Sequence, residues 1–105
     1  MKIVGIVSND LMTKNRIIEE LGKKKIEAVA LHSTINFDPE TFDLVLVDLN
    51  SPQAFVVLAR HASKCIAFGG ANDLQNFKKA KSLGCDKIYK NGEFFKKILP
   101  GFKLN

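Results

Sequence analysis

Five short apolar runs alternate with stretches whose apolar residues recur at helical spacing, and that alternation constrains the fold more than any other feature of the chain. Lys2 to Val7 (KIVGIV) stops at Ser8-Asn9-Asp10. Ile26 to Leu31 (IEAVAL), Phe42 to Leu49 (FDLVLVDL), Cys65 to Phe68 and Asp86 to Lys90 read as four further strands. None alternates polar with apolar residues; the third is interrupted only at Asp43 and Asp48. Strands of this kind are covered on both faces. Between them, Leu11, Ile17, Ile18 and Leu21 predict a helix opened by Asp10 and stopped by Gly22. Pro52 suits the first turn of a helix reaching about Ala62, with Phe55, Leu58 and Ala59 on one side. Leu74, Phe77, Ala80 and Leu83 predict another, up to Gly84, and Glu93 to Leu99 a short last one that must stop before Pro100. After the second strand, Pro39 and the mixed polarity of Asn36 to Thr41 predict no regular helix. Strands so separated pair in parallel through crossovers, with helices on both faces: a doubly wound α/β sandwich.

In such sheets ligands bind outside the carboxyl ends of the strands. The informative residues are therefore Ser8, Asn9 and Asp10; His32 and Ser33; Asp48, Leu49 and Asn50; Gly69 and Gly70; and Lys90 and Asn91.

With 105 residues, 46% apolar and 26% charged, residues 1–105 make one domain with a self-sufficient core, and a disordered chain is excluded. No apolar run approaches the roughly 18 residues of a membrane span, and Met1-Lys2 leads into a strand rather than a signal peptide, which predicts a cytoplasmic domain with no membrane partner. Cys65 and Cys85 form no CxxC and have no histidine at metal spacing, so they are expected to be small buried thiols; His32 and His61 read as surface or capping residues.

The net charge of +5 is unevenly placed. Residues 1–63 hold seven basic and eight acidic groups, residues 64–105 nine and three. Lys78, Lys79, Lys81, Lys87, Lys90, Lys96 and Lys97 supply most of the excess. Such a face is a solvated lysine surface, a site for an acidic protein partner, or a nucleic-acid interface, and the lack of an interleaved aromatic platform weighs against the last. No GxGxxG follows the first strand and no GxxxxGK[ST] occurs, which argues against a nucleotide enzyme.

DLVLVDLNSP (43–52) resembles the strand-three segment of response-regulator receiver domains, the CheY-like family, and SLGCDKIYKNGEFF (82–95) resembles the entry to their fifth strand. The resemblance spans the whole chain in order and spacing of elements. It implies a flavodoxin-like three-layer sandwich with a five-stranded parallel sheet in order 2-1-3-4-5. It also places the phosphoacceptor on Asp48 and a backbone Mg²⁺ contact at Asn50. The acidic pair that holds Mg²⁺ falls on Ser8 and Asn9, neither a carboxylate; Asp10, one residue on, serves only if the turn slips. The strand-four hydroxyl falls on Gly69, the strand-five lysine on Asn91 and the switch aromatic on Ile88; Lys90 is one position early and faces away. Of these markers Asp48 alone survives.

The resemblance therefore implies a degenerate receiver, or pseudo-receiver: not an enzyme, with no cofactor expected and Mg²⁺ at most weakly held. It would act on a signalling protein or on a second copy of itself as a homodimer, with transfer to Asp48 lost or vestigial. A working phosphoacceptor with an altered Mg²⁺ site and a nucleic-acid or acidic-surface binder are the alternatives.

Overall fold

The computed structural model describes residues 3–31 and 39–102. Its five strands, β1 (Ile3–Val7), β2 (Glu27–Ala30), β3 (Leu44–Asp48), β4 (Cys65–Gly69) and β5 (Ile88–Lys90), form one sheet in the order β2-β1-β3-β4-β5. Every neighbouring pair is parallel. The sheet order expected from the resemblance is thus the one observed.

Helix α1 (Leu11–Gly22) follows β1, α2 (Ala54–His61) follows β3 and α3 (Leu74–Ser82) follows β4. After β5 a single turn, α4 (Asn91–Glu93), continues as a π-helical segment over Phe94–Ile98. Between β2 and β3 the described chain shows only a 3₁₀ turn at Pro39–Thr41, as Pro39 suggested; His32 and Ser33 lie outside the described residues.

The side chains divide between the two faces of the sheet. One face, under α2 and α3, buries Val7, Val45, Val47, Leu49, Val57, Leu58, Cys65, Ala67 and Ala80. The other, under α1 and the last turn, buries Val4, Ile6, Ile17, Leu21, Leu46, Ile66, Phe68, Phe94 and Leu99. Alternation along each strand sorts them, since successive strand residues point to opposite faces.

Several element boundaries differ from those expected, and three of them bear on the site. The helix expected from Pro52 starts at Ala54, because Ser51 and Ala54 close a tight turn first: the Ser51 N–H donates to Asp48 O at 2.9 Å and the Ala54 N–H to Ser51 O at 3.2 Å. Strand β5 is only Ile88–Lys90, so Asp86 and Lys87 lie in the approach to it. The last helix begins at Asn91 rather than Glu93 and widens to π geometry: the Leu99 N–H reaches Phe94 O, five residues back, at 2.8 Å. In an α-helix residues five apart sit about 140° around the axis. The widened turn brings Phe94 and Leu99 toward the same side, and both are buried.

Gly84 ends α3 with φ +98, a left-handed conformation that glycine adopts without strain. The Lys24 ammonium donates to the carbonyls of Pro100 and Phe102, fastening the end of the described chain beside α1. Among the described residues no helix is long and apolar enough to cross a membrane.

Candidate functional site

The carboxyl ends of β1, β3, β4 and β5 enclose a cavity of about 320 Å³ lined by Asn9, Asp10, Thr13, Asp48, Asn50, Ser51, Phe68, Asn91 and Phe95. Strand polarity makes this the place where loops with free side chains converge.

Asp48, at the end of β3, is buried with 8% of its surface exposed. Both carboxylate oxygens are engaged. Oδ1 accepts from the Asn50 N–H at 3.0 Å, and Oδ2 accepts from the Ser8 hydroxyl at 2.8 Å. The Ser51 hydroxyl donates to the Asp48 carbonyl at 2.8 Å. Ser8 Oγ in turn accepts from the Asp10 N–H at 3.1 Å, so one hydroxyl joins the exits of β1 and β3. Buried polar groups require such partners.

Asp10 lines the same cavity as the cap of α1. Its carboxylate accepts from the Met12 N–H at 3.3 Å and the Thr13 hydroxyl at 2.6 Å, the geometry of a helix cap. The Thr13 hydroxyl, ahead of the other donors, holds the Asp10 carboxyl below its ordinary value. These are the capping bonds that the sequence reading expects of Asp10.

A divalent cation beside Asp48 is what the resemblance calls for, and these residues do not suit one. Mg²⁺ requires hard anionic oxygens in an octahedral set. Here the oxygen that would face it receives a proton donor from Ser8, the neighbouring side chain is the amide of Asn9, and the Asp10 carboxylate is engaged in its capping bonds. Among the described residues no three His, Cys, Asp or Glu side chains group to hold a metal.

Asn91 lines the cavity at the place where the resemblance sets a lysine. Lys90 pairs with Gly69 in the β4–β5 register and lines a groove on the opposite side, with Phe77, Ile88 and Glu93. Gly69 offers no hydroxyl, and a Cβ there would meet Phe77 at 3.2 Å and Leu49 at 3.4 Å. Phe68, directly beside Asp48 in the β3–β4 register, fills the adjoining wall.

Four lining residues escaped the sequence reading: Thr13, Ser51, Phe68 and Phe95. Thr13 sits three places after a capping aspartate and Ser51 within DLNSP, which are usable signals. Phe68 looked like one more core residue of an apolar strand, and nothing local set Phe95 apart. In the fold Phe68 stacks on Phe94 at 4.3 Å and meets Phe95 edge-on at 5.7 Å, while the Arg16 guanidinium covers the Phe95 ring at 4.4 Å.

The seven lysines do not share one surface. Lys78 and Lys81 border Phe77 and Ile88 in a groove between α3 and β5, and Lys90 continues it. Lys79 is the exception to the expected grouping: its ammonium lies over the Phe55 ring of α2 at 4.3 Å. Lys87 precedes β5, and Lys96 and Lys97 ride the exposed side of the π segment. Cys65 and Cys85 are buried, as expected, and burial pushes the Cys65 thiol up to about 12.

No family model and no curated protein matches the chain. Solved structures do. The non-phosphorylated HemR receiver domain from Leptospira biflexa superimposes with a TM-score of 0.71 at 16% identity, over 100% of this chain and 98% of that one. The Mn(2+)-bound form of response regulator Rcp1 gives 0.72 at 16% identity over 96% and 91%. A CheY-like receiver domain protein from Methanospirillum hungatei JF-1 gives 0.70 at 22% identity over 96% and 86%. The chain has the fold of response-regulator receiver domains.

Proposed function

We propose that this chain is a receiver-like signalling module that works by binding another protein and has given up phosphoryl transfer at Asp48. The observation that carries the reading is the hydrogen bond from Ser8 to Asp48 Oδ2, which ties the carboxylate to a neutral neighbour in a cavity that, among the described residues, no lysine or arginine lines. Phosphoryl transfer depends on positioning and on positive charge that neutralises the crowded oxygens. With Ser8, Asn9 and Asn91 in place of two acids and a lysine, that charge is missing. The module is read as non-enzymatic and cytoplasmic.

The groove between α3 and β5 supports the binding half of the proposal. Its floor is apolar, Phe77 and Ile88, and Lys78, Lys81 and Lys90 border it together with Asp86 and Glu93, so the basic groups are in excess. An acidic protein surface, on a signalling partner or a second copy, meets both features. Such an encounter is steered by charge and weakens with salt.

Amide NMR spectra with Mg²⁺ and beryllofluoride, a mimic of the acyl phosphate, test the first half. An unchanged spectrum at saturating reagent is expected; shifts spreading from Asp48 into β4 and β5 overturn the proposal. Asp48→Asn should leave partner capture intact, and capture should fall as salt rises. Binding to DNA with a log–log salt slope of roughly −0.9 per phosphate contact would instead make the lysine groove a nucleic-acid interface.

A further inference from the structure

We infer that the cavity above Asp48 binds a small neutral heterocycle, a purine nucleoside, where the resemblance would put a cation and a phosphoryl group. This rests on the preceding reading that metal and phosphoryl chemistry have left the site, and is tested apart from it.

Three carboxamides, Asn9, Asn50 and Asn91, converge on the cavity from the exits of three different strands. Among the described residues their side-chain amides have no protein partner. Thr13 and Ser51, by contrast, have committed their hydroxyl protons to Asp10 and to the Asp48 carbonyl. A carboxamide presents a donor and an acceptor side by side, the pattern that the edge of a purine complements in bidentate fashion. Phe95, half-buried and braced by Phe68, Phe94 and Arg16, supplies an aromatic wall whose orientation is already fixed. The lining is mostly polar, with Phe68 and Phe95 as its aromatic part, and about 320 Å³ is at the small end of the range of small-molecule sites, room for one base with its sugar.

Charge selects the uncharged form. The carboxylates of Asp10 and Asp48 both line the cavity, and among the described residues no lysine or arginine side chain does. A phosphate placed there would meet like charge, and the Arg16 guanidinium is already engaged over the Phe95 ring. The nucleoside is therefore favoured over its nucleotide.

The test is titration of the ¹⁵N-labelled chain with adenosine and with guanosine, alongside AMP and ribose. At least one nucleoside should give saturable shifts confined to the amides of residues 9–13, 48–51 and 91–95, with AMP binding several-fold more weakly and ribose not at all. Asn91→Ala, an exposed position whose loss leaves the core untouched, should weaken nucleoside binding roughly tenfold, as expected for one bidentate contact. No saturable shift with either nucleoside, AMP binding as tightly as the nucleoside, ribose giving the same shifts, or shifts centred on the α3–β5 groove would each overturn the inference. The beryllofluoride spectra report separately on the reading beneath it: a response to beryllofluoride with no response to nucleoside fails both, and silence to both reagents fails this inference alone.

Discussion

The two faces of the sheet solve the same packing problem with different materials. Under α2 and α3 the core is made mainly of valines, alanines, leucines and the two cysteines, with Phe42 at its edge and Phe55 and Phe77 packed against it, brought close by two helices of eight and nine residues. Under α1 and the last turn it is made of isoleucines, leucines and a stack of Phe68 on Phe94. There the second helix is only a single turn and a π segment, and aromatic volume fills the space a longer helix would occupy. The stack also reaches the cavity, because Phe68 is both a core residue and a wall beside Asp48. The α1 face therefore couples its packing to the cavity beside Asp48, whereas the α2–α3 face borders the groove beside β5.

The largest effect should come from breaking the stack. Phe94→Ala leaves a void beneath a segment with few alternative contacts and should cost about 3–5 kcal/mol in urea unfolding. Val57→Ala, equally buried on the opposite face, removes two methyl groups and should cost about 2 kcal/mol. Phe94→Leu keeps enough volume to fold and should still move the amides of Asp48 and Asn91, which Val57→Ala should not. Equal costs, or no response at Asp48, would show that the two faces are equivalent.

A second difference between the faces is titratable. Cys65 lies on the α2–α3 face, and its thiol is raised by burial and by nearby Cys85 from 9.0 to about 12. A thiol raised in the folded state leaves stability untouched below the unfolded value and removes it as pH climbs between the two values. Stability should thus fall by roughly 1.4 kcal/mol per pH unit above pH 9, and the fall should be shallower in Cys65→Ala. Identical alkaline profiles for the two proteins would refute the assignment.

Most of the architecture was written in the residues. Five apolar runs separated by helical spacings make parallel strands, covered on both faces in β1, β3 and β4, whereas the edge strand β2 leaves Glu27 and Val29 exposed. The cap at Asp10 and the stop at Gly22 followed from local rules. What stayed hidden depends on tertiary contact. The π turn exists because Phe94 and Leu99 both meet the sheet, which no spacing rule anticipates. Phe68 and Phe95 became walls of a cavity only when β4 and the last turn were brought beside Asp48. The lysine run 78–81 reads as one patch, yet the turn of α3 sends Lys79 toward Phe55 and Lys78 and Lys81 toward β5.

At the site itself, Ser8 separates a structural account of Asp48 from a chemical one. Ser8→Ala deprives a buried carboxylate oxygen of its donor and should cost about 1–3 kcal/mol. Ser8→Asp sets a second carboxylate against the first and should destabilise the metal-free protein further. Mg²⁺ should then raise the Tm of Ser8→Asp while leaving that of the wild type unchanged. A wild-type Tm that rises equally with Mg²⁺ would mean that Asp48 already holds the ion.

The smallest expected effect lies on the α2–α3 face, at the contact of Lys79 with Phe55. An exposed ammonium over a phenyl ring contributes roughly 0.5–1 kcal/mol, and the lysine stem contributes packing as well. Lys79→Met keeps the stem and removes the charge, so it should cost less than 1 kcal/mol and should leave partner capture unchanged. Lys78→Met and Lys81→Met should do the reverse, leaving stability alone while weakening capture and flattening its dependence on salt. If Lys79→Met weakened capture as much as they do, the partner would have to span α2 and α3 together, and the groove beside β5 would be only part of its footprint.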